Sequence, residues 1–587
     1  MAASLQQHGF VECKDRGNED LCRFLWPNVS QETSDGSATA KELHGRLKNS
    51  EIDISSSAGR IDYVPVDKLG EVINQGAMIR LLGTLQSCKD WSHQKKIDLA
   101  RKICSTRDSG SFRSSRKVVA TLIRMKKEED IPLFIKRGVD DDWLPLAEVP
   151  YSGRQSEDPF TLKHRDTDQT CTALSHWTPQ DRRKFLKTSE KYLAPFFVQP
   201  SEGVNHYILH KTTILPFKYE DQSNHDEDDQ DSDNQENTGG FGEVQRVKIH
   251  PSHYRFDERI VTSSGQSFAI KELKTKVRKD FEDEVGPLLR FAHRPEKQLV
   301  KLLATFELRE GRKVTYYLIF PWADGSVRAH WKKNPKARDP GSVRWMAREA
   351  VAIAESLAFM HVDYAAELPS NFREKFGRHG DIKAGNLLVY MPDSKKQIFI
   401  SDFGLSRFHR QESRSLVQPR ATSPSYRPPE FDIPGASLSR KSDMWSLGAF
   451  FLEFATWYLE GWGSVHTDFP AAREEIDHQN VTSDIFFRIE SGTQAVVRPQ
   501  VVSWVERLHR NRKCTQYIQD LLDLIMGKMM LADRDRRLDA SKLWQELSAM
   551  DRKCENESPS GTLADPNFVG RSSSKCSEAT FTSAKSS

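Results

Sequence analysis

The sequence predicts an α+β protein of more than one folded unit, with a small helical domain ahead of a longer segment that opens in β-structure and contains a buried helix. Three observations predict it. At 587 residues the chain exceeds what one hydrophobic core serves and should hold two or three folded units. Between Val66 and Lys136 apolar residues recur at helical spacing, whereas His206 to Phe217 is rich in β-branched and aromatic residues. The most apolar run, Trp445 to Leu459, is too short to span a bilayer comfortably and carries Glu453, so it reads as a buried helix.

Taken in order, residues 1–60 are polar, Ser-rich in parts and weakly periodic, which predicts disorder or loosely attached turns. The helical extension is read over 61–200. Leu69, Val72, Ile73, Ile79, Leu82 and Leu85 recur at helical spacing, then Ile97, Leu99 and Ile103, then Val118, Val119, Leu122 and Ile123. Thr178-Pro179-Gln180-Asp181 predicts a helix start, with Thr178 as the cap and Pro179 at the first helical position, running to about Leu193 before Pro195. His206 to Phe217 follows as a strand. Residues 219–237 form an acidic insertion; Glu220 to Asn237 carries nine acidic residues and no lysine or arginine, the pattern of a solvated run. The tail, 551–587, is rich in serine and threonine and poor in apolar residues, which predicts disorder.

The chemistry concentrates in two short stretches. His379-Gly380-Asp381-Ile382-Lys383-Ala384-Gly385-Asn386 and Asp402-Phe403-Gly404 supply two carboxylates, a lysine and an amide. Phosphoryl transfer asks for such groups, because a loose transition state is served by positioning and by neutralising charge spread over oxygens. These stretches resemble the catalytic and metal-binding loops of the protein kinases. The resemblance implies that Asp381 accepts the proton of the attacking hydroxyl, that Lys383 faces the moving phosphoryl group, and that Asn386 and Asp402 hold magnesium.

Further motifs stand in the order that family uses. Thr238-Gly239-Gly240-Phe241-Gly242-Glu243-Val244 resembles the glycine-rich loop, with Asn237 where the first glycine would be. Phe268-Ala269-Ile270-Lys271 is similar to the strand that carries the phosphate-binding lysine. Glu284 fits the helical glutamate that pairs with it, with Leu288 on the same face and Pro287 expected to kink a helix outside its first turn. Tyr426-Arg427-Pro428-Pro429-Glu430, Ser442 to Gly448 and Arg537 stand where protein kinases carry the end of the activation segment, the start of a buried helix, and the arginine that pairs with Glu430.

The resemblance covers about 204–550 and implies a two-lobed protein-kinase-like fold, a small β-rich lobe and a large helical lobe, behind the extension. It implies ATP and Mg2+ as cofactors. Its nucleotide-binding set is Gly239, Gly240, Gly242, Val244, Ala269, Lys271, Pro321, Trp322, Ala323 and Leu388, with Phe320 before the hinge; its catalytic set is Asp381, Lys383, Lys271 and Glu284. The Asp381-x-Lys383-x-x-Asn386 spacing and Ser423 resemble Ser/Thr kinases, so the implied acceptor is a Ser/Thr hydroxyl of a protein. The 66–200 region and the H-G-D-I-K form of the loop look like kinase-like proteins of filamentous fungi. One departure is Gly380, where the family has arginine. That arginine receives a phosphate from the activation segment, so glycine here predicts activity independent of phosphorylation at Ser413, Ser415, Thr422 and Ser425.

Composition excludes little else. A net charge of +3 gives no global reason to expect nucleic acid, and the amino terminus lacks the pattern of a secretory signal. Eight cysteines without C-x-x-C pairs argue against a zinc site or a disulfide framework and for a reducing, cytoplasmic or nuclear compartment, with no membrane. Oligomeric state is not encoded legibly. Two competing functions are a pseudokinase scaffold, weakened by the presence of Lys271, Asp381, Asn386 and Asp402, and a small-molecule phosphotransferase, disfavoured by the 402–430 segment and Ser442 to Gly448.

Overall fold

The computed structural model describes residues 10–14, 39–56, 59–105, 114–150, 160–165, 167–200, 203–220, 244–257, 266–291, 297–336, 341–366, 378–392, 395–402, 424–476, 482–491 and 494–556. The chain divides into two compact units. One holds the amino-terminal region, 266–276 and 302–320; the other holds 277–301 and the chain from Pro321 onward.

The first unit is organised on a seven-stranded sheet, in the order Phe10–Lys14, Val204–His210, Ala304–Glu310, Lys313–Pro321, Ser267–Glu272, Val244–Ile249 and Phe217–Tyr219. The strand expected over 206–217 is therefore two strands on opposite sides of the sheet. Phe217–Tyr219 pairs antiparallel with Val244–Ile249, whereas Val204–His210 runs parallel to both Phe10–Lys14 and Ala304–Glu310. Period-2 alternation gives each strand two faces. On one, Tyr207, Leu209, Val247, Phe268, Ile270 and Phe306 form the core together with Phe197, whose ring packs edge-on against Tyr207 at 5.0 Å. On the other, His206, Thr305 and Glu307 are fully buried, and the His206 ring bridges the Thr305 hydroxyl (2.9 Å) and the Glu307 carboxylate (3.2 Å). A buried polar layer is stable only when its members satisfy one another, and these do.

The amino-terminal region has its own core, assembled from Leu43, Leu69, Met78, Leu82, Ile103, Leu122, Phe134 and Phe185 among others. Its helices include Gln75–Thr84, His93–Ile103, Arg116–Met125 and Pro179–Ser189. Thr178 caps the last of these, its hydroxyl accepting from Asp181 N at 3.2 Å, and a short 3₁₀ turn continues it to Tyr192. Two findings depart from expectation. The stretch 40–56 is structured: Ala40–Asn49 is a helix that buries Leu43 and Leu47, capped by Thr39. The region is also not purely helical, since Ile52–Ser56 with Gly59–Tyr63 and Leu146–Pro150 with Phe160–His164 are hairpins. Weak apolar periodicity in short amphipathic elements is what hid them.

This region is joined to the sheet through His253, which is 2% exposed. Val66 N donates to its Nε2 at 3.2 Å, so the ring's Nδ1 carries the proton and donates to the Pro195 carbonyl at 2.9 Å. Burial pushes the imidazole down to about 4.

The second unit is mainly helical. Arg440–Glu460 runs through it with nearly every side chain buried, as the apolar run predicts, and Gly448 lets it approach Met530: a β-carbon there would lie 2.7 Å from Met530 Cγ. Arg278–Phe291 is assigned as one continuous helix with Pro287 in its interior, beyond the first turn where a proline is tolerated without a kink; Phe281, Val285, Leu288 and Leu289 are buried along it. No helix among the described residues is long and apolar enough to cross a membrane.

Candidate active site

Two backbone anchors set the loop that carries Asp381. Asp443, in the first turn of the Arg440–Glu460 helix, accepts from His379 N at 2.8 Å and Gly380 N at 2.9 Å, and the His361 ring donates to it at 2.8 Å. Burial alone would raise its pKa, but these donors hold the carboxyl below its ordinary value. His379 supplies the second anchor: its Nδ1 accepts from Asp381 N at 3.2 Å, so its Nε2 donates to Ser401 O at 2.8 Å. One imidazole thereby ties the Asp381 loop to the residue preceding Asp402.

The expected chemical groups converge here. Asn386 Nδ2 donates to Asp381 Oδ2 at 2.8 Å and to its carbonyl at 2.9 Å, and Lys383 Nζ lies 3.3 Å from the same Oδ2. Asn386 O in turn accepts from Ser401 N and Oγ at 2.9 and 2.8 Å. Asp402 follows directly, in a left-handed conformation with φ 59°. Aspartate is among the few side chains that tolerate this region, and such backbone outliers cluster at functional sites.

The remaining candidates fall in place by element. In the first unit Ala269 and Lys271 alternate with the core residues Phe268 and Ile270, so they lie on the opposite face of their strand, and Val244 pairs in register with Lys271. In the second unit the Tyr390 hydroxyl donates to Pro321 O at 3.2 Å and Leu388 pairs with Ser326, which puts the 321–323 segment, with Trp322 and Ala323 half-buried, beside the strand Leu387–Tyr390. Glu284 is half-buried on the Arg278–Phe291 helix, whose Glu282 is paired with Arg278 at 3.0 Å. Lys271 and Glu284 belong to different units. Gly239, Gly240, Gly242, Phe403, Ser413, Ser415, Thr422 and Ser423 lie outside the described residues. Glu220, the first acidic residue of the insertion, is held by Arg246 at 2.7 Å, Lys248 at 2.8 Å and the Ser267 hydroxyl at 3.0 Å.

The pairing expected of Glu430 and Arg537 is present and bidentate, at 2.8 and 2.9 Å. Two residues escaped sequence reasoning. Asp443 stands inside a recognised motif, but an acceptor for backbone N–H groups leaves no trace in side-chain spacing. Arg378 is buried beside Gly380, so a guanidinium does stand next to the residue before Asp381, supplied from two positions upstream. Nothing in its neighbourhood, Arg373-Glu374-Lys375-Phe376-Gly377-Arg378-His379, sets this arginine apart from an exposed one, so the sequence carried no signal for it.

Residues 258–547 match the model of the protein kinase domain family. The chain is 31% identical over 224 residues to a probable leucine-rich repeat receptor-like protein kinase of Arabidopsis thaliana, covering 37% of this chain and 28% of that protein. It is 29% identical over 224 residues to a proline-rich receptor-like protein kinase of the same plant (37% and 28%), and 27% identical over 233 residues to a probable leucine-rich repeat receptor-like serine/threonine-protein kinase, again from Arabidopsis thaliana (38% and 19%). The chain thus spans less than a third of the length of these relatives. Over 258–547 it carries a protein kinase domain.

Proposed function

We propose that the chain is a protein kinase that transfers the γ-phosphate of ATP, with Mg2+, to Ser/Thr hydroxyls of proteins. The observation that carries this reading is the state of the Asp381 carboxylate. Oδ2 is occupied by Asn386 and Lys383, whereas Oδ1 has no hydrogen-bond partner among the described residues, which leaves it to accept a proton from an approaching hydroxyl. Lys383 sits beside this carboxylate as the cation for the group in transit. Asn386 presents its amide nitrogen to Asp381, and its Oδ1 has no hydrogen-bond partner among the described residues. An amide oxygen and the Asp402 carboxylate are hard donors that fit magnesium. Magnesium bound there supplies charge neutralisation at the phosphates. By the same resemblance, the first unit would contribute Lys271 to the phosphates and Val244 and Ala269 to the adenine, and the second unit would contribute Glu284, Leu388 and 321–323.

The Ser/Thr preference is supported by the Asp381-x-Lys383 spacing, and a relative whose name states that specificity has the same kind of domain. The resemblance of the extension to fungal kinase-like proteins, and a cytoplasmic or nuclear location, are part of the same proposal. The test is transfer from radiolabelled ATP by the full chain to generic protein acceptors, followed by phosphoamino-acid analysis. Asp381→Asn and Asp402→Asn are each expected to cut turnover by about 100- to 1000-fold, the usual loss for one preorganised electrostatic group. Phosphotyrosine as the product would refute the specificity. An unchanged rate in Asp402→Asn would refute the metal assignment.

A further inference from the structure

The residue before the catalytic aspartate is a glycine in the left-handed region. Gly380 sits at φ 86°, and glycine has more backbone freedom to lose than any other residue. Two restraints act on it. Its N–H donates to Asp443 Oδ1 at 2.9 Å. The guanidinium of Arg378 also lies against it, with Nε 3.3 Å, Nη2 3.7 Å and Cζ 3.8 Å from the point where a β-carbon would stand.

Fold stability alone gives no reason for an arginine there. Arg378 is 4% exposed, and its Nε is buried without a hydrogen-bond partner among the described residues. The carboxylates whose charge acts on it are Asp443 and Glu430. Both are already served: Asp443 by two backbone N–H groups and His361, Glu430 by Arg537 and the Ser442 hydroxyl at 2.7 Å. Burial accordingly holds the Arg378 pKa below its ordinary value, with the two carboxylates opposing that shift. Replacing such a cation with an apolar side chain of similar length orphans neither carboxylate, and buried charges replaced this way are often neutral or favourable for stability.

We propose that Arg378 is a positioning residue for phosphoryl transfer: its guanidinium fills the space a side chain at 380 would take and pins Gly380 onto Asp443, so that Asp381 holds its aim at the acceptor hydroxyl. The inference rests on the kinase reading for its rate consequence, but its structural content does not depend on turnover. The planar fork is essential, because a lysine ammonium cannot lie flat across a glycine.

The experiment compares the full chain with Arg378→Met and Arg378→Lys. In Arg378→Met, kcat is expected to fall about 10- to 100-fold, the scale of a small misplacement of a reacting group, while KM for ATP and the melting temperature stay close to wild type. Arg378→Lys is expected to fold normally and to recover only part of the rate. Hydrogen exchange of the peptide that contains His379 and Gly380 should be several-fold faster in Arg378→Met. Unchanged exchange there would overturn the proposal, as would a strongly lowered melting temperature with kcat retained, or an Arg378→Met chain that does not fold. If the wild-type chain transfers no phosphate, the kinase reading fails, and the exchange measurement still decides whether Arg378 pins the loop.

Discussion

The Glu430–Arg537 pair offers a sharp test of how the second unit is held together. The two side chains are 5% and 2% exposed and meet in a bidentate contact, but their other partners differ. Arg537 also donates to the carbonyls of Leu531 (2.7 Å), Lys441 (3.1 Å) and Ala532 (3.5 Å), whereas among the described residues Glu430 has only the Ser442 hydroxyl besides. Glu430→Ala therefore leaves a guanidinium still bound to three carbonyls, and Arg537→Ala leaves a buried carboxylate with one hydroxyl and three carbonyls without their donor. Breaking a buried pair costs about 3–5 kcal/mol, so we expect about 3 for Glu430→Ala and about 5 for Arg537→Ala. The double variant should cost no more than about 6, because neither single loss can then orphan the partner, and the cycle should give a coupling of about 2 kcal/mol or more. Urea unfolding with unchanged slope measures it. Strict additivity, or equal effects of the two single changes, would refute this account.

Other consequences follow from the same packing. Gly448→Ala should destabilise by about 1–3 kcal/mol, because its new methyl meets Met530 Cγ at 2.7 Å and Met529 Cβ at 3.2 Å; a variant as stable as wild type would show that the two methionines yield freely. His253, neutral when folded with its pKa pushed down to about 4, should contribute stability above the unfolded value of 6.5 that is lost as pH falls from 6.5 to 4, at most about 3 kcal/mol. Glu349 and Asp141, raised by burial to about 7 and about 6, act in the opposite sense, so the measurement is the wild-type minus His253→Ala difference in unfolding free energy across that window; a flat difference would count against the seam. A fragment beginning at residue 204 lacks Phe197 and the strand Phe10–Lys14, and should show a lower melting temperature and bind a hydrophobic dye more strongly than the full chain.

What was legible in the sequence depended on the range over which its cause acts. Asp381, Lys383 and Asn386 could be named because their spacing within six residues is itself the chemistry, and Asn386 and Lys383 do meet the Asp381 carboxylate. The buried helix was legible because an apolar run with one acid leaves few alternatives. The place of Val204–His210 was not, since β-branched and aromatic residues announce a strand but not its neighbour; pairing with Ala304–Glu310 is fixed a hundred residues away by the His206, Thr305 and Glu307 contacts. The seam at His253 was hidden for a related reason: a lone histidine after Pro251 and Ser252 reads as a turn, and only the arrival of Val66 and Pro195 makes it a bridge. Asp443 and Arg378 were missed because each acts on backbone, one by accepting N–H groups and the other by filling the space over a glycine. The most local part of the candidate site, the meeting of Asn386 and Lys383 with the Asp381 carboxylate, was thus readable from spacing. The part that aims them is written in contacts between the loop and distant segments, and there Gly380 shows what spacing cannot convey, since the absence of one side chain is the opening that another residue occupies.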